Sequence, residues 1–186
     1  MKTESQESLN SLKVWLKDRA FFVYAFWFRR QLTKWVSGEL EVSNKILTLK
    51  RVSKSNALVL DVFLSTEVDD KDLRFAGVGA KGLNLGHPSF VYFGIFDNDD
   101  LIALAWMRIL GRRKIERLLL VGRSWRRRGL RSNLLVRNGQ ICKNHRLISL
   151  SKIDVNNEVM LNIYKKKGYK LDNKEGHLYI FEEKHE

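Results

Sequence analysis

Cysteine, proline and long apolar runs are scarce in this chain, and each scarcity excludes something. A single cysteine, Cys142, leaves no internal disulfide and suits a reducing, cytoplasmic setting. It stands in a segment that reads as helix, with only His145 near it, so a buried thiol is expected rather than a nucleophile. The four histidines are scattered without metal-ligand spacing, and no metal site is expected. There is one proline, Pro88, and neither a low-complexity linker nor a repeat interrupts the chain. The central apolar run, Ala20 to Phe28, has nine residues, against the roughly 20 needed to cross a bilayer. Glu4 and Glu7 ahead of it, with no small-residue cleavage site behind, do not read as a cleaved secretory signal.

What the chain has is a globular composition with a strong positive bias. Its 186 residues are 44% hydrophobic and 30% charged, enough for one domain with a real core and too apolar for disorder. The formal charge is +13, and ten of the cationic side chains crowd the stretch from Arg112 to Arg137. Such an excess steers nucleic acid, an anionic membrane or a polyanionic small molecule, and all three partners stay open on charge alone.

The order of elements follows from periodicity and breakers. Ser5 to Val36 contains no proline or glycine and reads as one helix, with Gly38 as its stop signal. Its aromatic centre is apolar all round and bracketed by Asp18, Arg19, Arg29 and Arg30. That pattern suits a helix packed on the rest of the chain or on a second subunit of a homodimer. It also suits an interfacial helix peripheral to a membrane. Ile46 to Val52 alternates as an edge or first strand should, Asn56 to Leu64 reads as helix, and Ser65 to Asp72 as an acidic loop. Gly77 to Gly82 matches G-x-G-x-x-G by letter, but no strand leads in and Gly86-His87-Pro88 stops any helix, so a dinucleotide site is not expected. Phe90 to Phe96 and Leu101 to Ile109 form a hairpin, and Ile115 to Val121 is the next strand. A helix from Gly129 to Asn144, a strand from Leu147 to Ile153, a helix from Asn157 to Lys167 and a strand from Leu178 to Glu183 complete the chain. The expected fold is an α/β sheet, with residues 1–41 a helical extension and 42–186 the main domain.

The stretch from Leu118 to Leu135 carries the chemistry. An apolar strand runs into a basic loop with one glycine, and a helix begins directly after it. Amides in the first turn of a helix have no intrahelical acceptor, and the helix dipole adds about half a positive charge there. Gly129 permits close backbone approach, so the turn is a candidate anion site, with an ordinary solvated basic turn as the alternative.

Ser124-Trp125-Arg126-Arg127-Arg128-Gly129-Leu130-Arg131-Ser132 resembles the acetyl-CoA-binding motif of the GNAT N-acetyltransferases. Arg126 and Gly129 fall on that motif, whereas Arg131 stands where the family has a small residue. Asn157 to Tyr169, with Tyr164-Lys165-Lys166-Lys167-Gly168-Tyr169 at its end, resembles the second family signature. The resemblance spans about residue 42 to the C-terminus. It implies a mixed, mostly antiparallel sheet with a splayed parallel strand pair flanked by helices, to which the N-terminal helix is an addition.

The resemblance also implies an acetyl-CoA-dependent N-acetyltransferase with a small-molecule amine acceptor, such as an amino sugar or an amino-acid derivative. Leu120 and Val121 would meet the pantetheine amides. The backbone of Arg126, Arg127, Arg128, Gly129, Leu130, Arg131 and Ser132 would wrap the pyrophosphate, with the side chains of Arg126 and Arg128 adding charge. Tyr164 matches the general acid toward the departing thiolate, and Asn157 would cap its helix and reach the cofactor. Glu116 is the candidate base, although the alignment slips there by one residue, which turns a strand side chain to the other face. Glu67, Asp69, Asp70, Asp72 and His87 are further candidates to bind a cationic amine. A protein that uses this fold to bind nucleic acid or a membrane is the competing reading.

Overall fold

The structure, a computed structural model, describes residues 4–76, 83–166, 169–176 and 178–183. The glycine-rich segment at 77–82 and the turn at Lys167-Gly168 lie outside the described residues. An eight-stranded sheet forms the centre, in the order β1-β2-β3-β4-β5-β6-β8-β7. Its strands are β1 (Gly38–Val42), β2 (Lys45–Val52), β3 (Phe90–Asp97), β4 (Asp100–Gly111), β5 (Lys114–Val121), β6 (Ile148–Asp154), β7 (Lys170–Glu175) and β8 (Leu178–Glu183). Every neighbouring pair is antiparallel except β5 and β6. That parallel pair requires a crossover, supplied by helix α4 (Leu130–Asn144).

Two cores lie on the two faces. On one, α1 (Glu4–Val36) and α4 cover Leu47, Leu49, Phe93, Ile95, Ala103, Ala105 and Ile115. On the other, α2 (Ala57–Thr66) and the short α3 (Asp70–Phe75) cover Val52, Tyr92, Leu104, Trp106 and Leu120. Alternation along each strand decides the split, because successive side chains point to opposite faces. Helix α5 (Glu158–Lys166) closes a third cluster with Ile153 and Phe181. Cys142 is fully buried, as expected.

α1 is part of the fold rather than an appendage. Ala25, Phe28, Leu32 and Val36, at helical spacing, are buried in the same core as β2 to β4. α4 secures its end: Arg137 donates to the carbonyls of Glu39 at 2.6 Å and Val36 at 3.0 Å, and His145 stacks on Trp35 with centroids 3.6 Å apart. The division expected after residue 41 falls inside β1, which continues directly from the helix.

β2 is an internal strand, because β1 pairs with it across a two-residue turn at Ser43 and Asn44. Both turn residues have positive φ, 50° and 61°, the type I′ geometry that matches strand twist. The acidic segment is also not all loop, since residues 70–72 open α3.

Candidate active site

Parallel pairing of β5 with β6 runs from Lys114↔Ile148 to Arg117↔Ser151 and then stops. Beyond that point β5 stays with β4, and β6 stays with β8. The opening between them leads into a cleft of about 660 Å³ bounded by α4, α5, the loop after β5 and Asp72 of α3.

The edge of β5 that faces the opening can be read from the ladder. Gly122 N–H donates to Ile102 O at 2.9 Å, so the hydrogen-bonded pairs with β4 are Gly122 with Ile102 and, two residues back, Leu120 with Leu104. Leu120 therefore directs its peptide groups to β4, and Leu119 and Val121 direct theirs into the opening. Of the two residues expected to meet pantetheine, Val121 turns its peptide groups into the opening and Leu120 does not, although both line the cleft; Leu119 is the other residue that does.

Both exposed carbonyls are covered by arginines. Arg126 Nε reaches Val121 O at 3.4 Å, and Arg131 Nη2 donates to Leu119 O at 3.2 Å. Burial holds the Arg131 guanidinium below its ordinary pKa; Tyr164 and Asp72 oppose that shift and Arg126 adds to it. No ion pair with a carboxylate is formed by Arg131 among the described residues.

The loop itself is built to present amides. Arg127 has φ +63°, and Gly129, the N-cap of α4, has φ +79°. A Cβ at Gly129 would meet only Asn133 Nδ2, at 3.7 Å, so backbone conformation and not space calls for glycine there. The first α4 bond runs from Asn133 N–H to Gly129 O at 3.0 Å. The amides of Arg127, Arg128, Gly129, Leu130, Arg131 and Ser132 donate to no acceptor among the described residues, which makes a concave set of donors at the cleft mouth.

The side chains of this loop are largely committed elsewhere. Arg126 grips Asp69 and Asp72, each at 2.8 Å, and Arg123 holds Asp69 at 2.9 Å. The hydrogen bond from Arg126, with the nearby charges, keeps the Asp69 carboxyl below the usual range although burial works the other way. Glu67 accepts from Ser124 N–H at 3.2 Å and from its hydroxyl at 2.9 Å, and the Glu67 carbonyl accepts from Arg123 N–H. This close approach requires Gly122, where a Cβ would stand 2.9 Å from Glu67 Oε2. Arg128 turns outward over the Trp125 ring at 5.0 Å, while its carbonyl accepts from Ser43 at 3.0 Å. Glu67, Asp69 and Asp72 thus brace the loop, whereas the sequence suggested them as amine ligands. Arg126, Arg127 and Arg131 are the loop cations that line the cleft, and of these Arg126 is held by carboxylates.

Tyr164 lies inside the cleft, 4% exposed, and donates to Ser151 Oγ at 2.8 Å. Tyr169 and Phe181 pack on its ring, with centroids at 4.6 and 5.2 Å. Asn157 Oδ1 accepts from Met160 N–H at 3.3 Å, capping α5, and the residue also borders the cleft.

Glu116 is not among the cleft residues. It pairs with Arg108 of β4 and shares the face of Leu118, Leu120 and Trp106, under α2. It is 5% exposed, with Arg108 Nη1 at 3.7 Å and Lys152 Nζ at 3.8 Å. Tyr164 and Glu116 therefore occupy opposite faces of the sheet, one residue from where the β5–β6 ladder opens. His87 lies apart, its Nδ1 accepting from Ser89 N–H at 3.2 Å.

No sequence-family profile matches the chain, and no curated protein matches it in sequence. Its architecture does match. The GNAT domain of PAT from S. lividans superposes with TM-score 0.66 and 14% identity, over 81% of this chain and 97% of that domain. This chain has the GNAT fold. PaiA N-acetyltransferase from Thermoplasma acidophilum, solved with coenzyme A, matches with TM-score 0.58 and 17% identity over 75% of this chain and 99% of its own. Spermidine N-acetyltransferase from Vibrio cholerae, solved with CoA and spermine, gives 0.55 and 11% over 73% and 92%. The mixed sheet, the parallel β5–β6 pair and the flanking helices bear out the fold expected from the two motifs.

Proposed function

We propose that the chain transfers an acetyl group from acetyl-CoA to a primary amine of a small molecule, by direct transfer in a ternary complex. One observation carries this reading. The only parallel strand pair among the described residues opens onto a cleft with unpaired amides at its mouth and a buried tyrosine hydroxyl inside.

The residues present fit the donor. The amides from Arg127 to Ser132, with Gly129 in the left-handed region, suit a pyrophosphate. The outward peptide groups of Leu119 and Val121 suit the amides of a pantetheine arm once Arg131 turns from Leu119 O. Arg127 lines the mouth and adds charge, and Asn157 borders the same space. Acetyl-CoA supplies the acetyl group as a thioester.

The chain's own groups divide the proton work. An amine must lose a proton to attack, and a thiolate must gain one to leave. Glu116, on the face under α2, takes the proton from the amine directly or through one water. Tyr164, on the other face, delivers its phenolic proton to the departing sulfur. The opening between β5 and β6 is the passage between the two.

The competing nucleic-acid reading rested on the run of arginines, and that run is dispersed in space. Arg123 and Arg126 sit on carboxylates, Arg128 on Trp125, Arg131 in the opening, Arg137 on the end of α1, and Lys114 on Glu182 at 3.3 Å. A sequence cluster has become several separate tasks.

The deciding experiment adds acetyl-CoA to the purified protein and follows thermal stabilisation, then thiol release against a panel of amines, amino sugars and amino-acid derivatives. Saturable stabilisation with amine-dependent thiol release is expected. Tight binding without turnover on any amine would sink the catalytic reading, and no stabilisation would remove the donor site.

A further inference from the structure

α1 has two apolar sides, and only one is covered. Its 33 residues extend about 50 Å at the rise of an α-helix. The packed stripe begins at Phe21 and runs through Ala25, Phe28, Leu32 and Val36, whereas every residue from Lys13 to Ala20 is exposed. On the opposite side Trp15, Phe26 and Trp27 stand 48, 53 and 55% exposed, whereas Phe22, between the two sides, meets the His87 ring at a centroid distance of 6.1 Å. At 3.6 residues per turn Trp15, Phe26 and Trp27 fall within about 120° of the helix circumference, a broad outer face. Arg19, Arg30 and Lys34 fall on the same face, and Arg19 lies over the Trp15 ring at 4.2 Å. Asp18, the one acidic residue between Lys13 and Val36, points off it.

We infer that this outer stripe of α1 docks the protein in the plane of an anionic bilayer, rings at the headgroup–acyl boundary and cations among the lipid phosphates. Charge decides the occupant. A second copy meeting this stripe about a twofold axis would set Arg19, Arg30 and Lys34 against their own kind with no carboxylate to offset them. An anionic surface satisfies the same cations and also accepts the rings, and the chain as a whole carries +13. No helix among the described residues is long and apolar enough to cross a membrane, so the helix lies on the surface. Its C-terminal half is fixed in the core, which removes most of the ordering cost that an unstructured interfacial peptide meets on binding. The cleft stays reachable, because the packed side of α1 is the side that faces the sheet.

Flotation of the full chain with vesicles tests this directly, using phosphatidylcholine alone and phosphatidylcholine with about one-third phosphatidylserine. Binding to the anionic vesicles only, weakening with salt and accompanied by a blue shift of tryptophan emission, is expected. The triple variant Arg19→Glu, Arg30→Glu, Lys34→Glu should partition on the order of a hundredfold less, at about fivefold per cation removed. Phe26→Ser with Trp27→Ser should likewise lose binding. Both sets alter exposed positions, so circular dichroism and the acetyl-CoA thermal shift should match wild type. That match separates failure of docking from failure of the proposed enzyme function. No binding by wild type, or equal binding by all variants, overturns the proposal. A wild-type dimer in sedimentation that becomes monomeric in Phe26→Ser/Trp27→Ser also overturns it and assigns the stripe to a second copy.

Discussion

Tyr164 and Arg131 set the chemistry of the opening, and they make opposite predictions. Tyr164→Phe keeps the ring on Tyr169 and Phe181 and removes only the hydroxyl that donates to Ser151. General acid catalysis is worth about 10²- to 10⁴-fold, so kcat should fall by about that factor when thiolate departure limits the rate. Donor affinity should barely change, because the hydroxyl matters as charge develops on sulfur. An unchanged single-turnover rate would reduce the tyrosine to a packing role. Arg131→Gly removes the guanidinium that covers Leu119 O, and calorimetry should show CoA affinity equal to or better than wild type. A large loss would make Arg131 a phosphate ligand. At this scale the sequence singled out Tyr164, Gly129 and Asn157 by motif and marked Arg131 as the departure, and all four line one cleft. It could not show that Arg126 grips Asp69 and Asp72, 57 and 54 residues earlier, because nothing local encodes that meeting. Nor could it say which of Leu119 to Val121 faces the opening, since parity depends on the register with β4.

The loop between β5 and α4 is the element on which donor binding depends. Its amides converge because Arg127 and Gly129 both adopt positive φ, and only the second position is one where a side chain is absent. A β-branched residue in that region costs about 1–2 kcal/mol in backbone strain alone. The loop should respond by leaving the left-handed conformation, because the strain lies in the backbone and not in a clash with a neighbour, the nearest atom to a Cβ there being Asn133 Nδ2 at 3.7 Å. Gly129→Val should therefore abolish stabilisation by CoA while the apo melting temperature falls only modestly. Equal CoA binding by variant and wild type in calorimetry would remove the loop from the site. Elements with a sharp apolar period, such as the β3–β4 hairpin and β5, were legible within a residue or two. β1 was not, because its Ser43-Asn44 turn lacks the glycine that signals a type I′ hairpin. β7 was not either: Lys170-Leu171-Asp172-Asn173-Lys174-Glu175 is nearly all polar and becomes a strand only by pairing with β8 at the sheet edge.

At the scale of the whole molecule, the N-terminal helix packs into the core from Phe21 to Val36 and stands exposed from Lys13 to Ala20. Sequence periodicity failed here because α1 is apolar on two sides, and only the structure shows which stripe meets the sheet. The core side holds Ala25, Phe28, Leu32 and Val36 with no more than 3% exposure, against Phe93, Ile95 and Ala105 from the sheet's centre. Truncating one such aromatic, Phe28→Ala, should cost about 3–5 kcal/mol. Losing the whole stripe takes several such contributions from a fold whose total stability is about 5–15 kcal/mol. Deletion of residues 1–37 should therefore yield insoluble or molten protein, and it also strips Arg137 of the Val36 carbonyl it caps. Deletion of residues 1–20 removes none of the buried core among the residues whose burial is described, Lys13 to Ala20 being exposed throughout, so the melting temperature should stay within a few degrees of wild type. It nevertheless takes Trp15 and Arg19 from the outer stripe, so weaker association with anionic vesicles should accompany the unchanged stability. Thermal melts and vesicle flotation on the two truncations and the full chain give the comparison. A stable, soluble 38–186 fragment would show that α1 is dispensable to the core it covers.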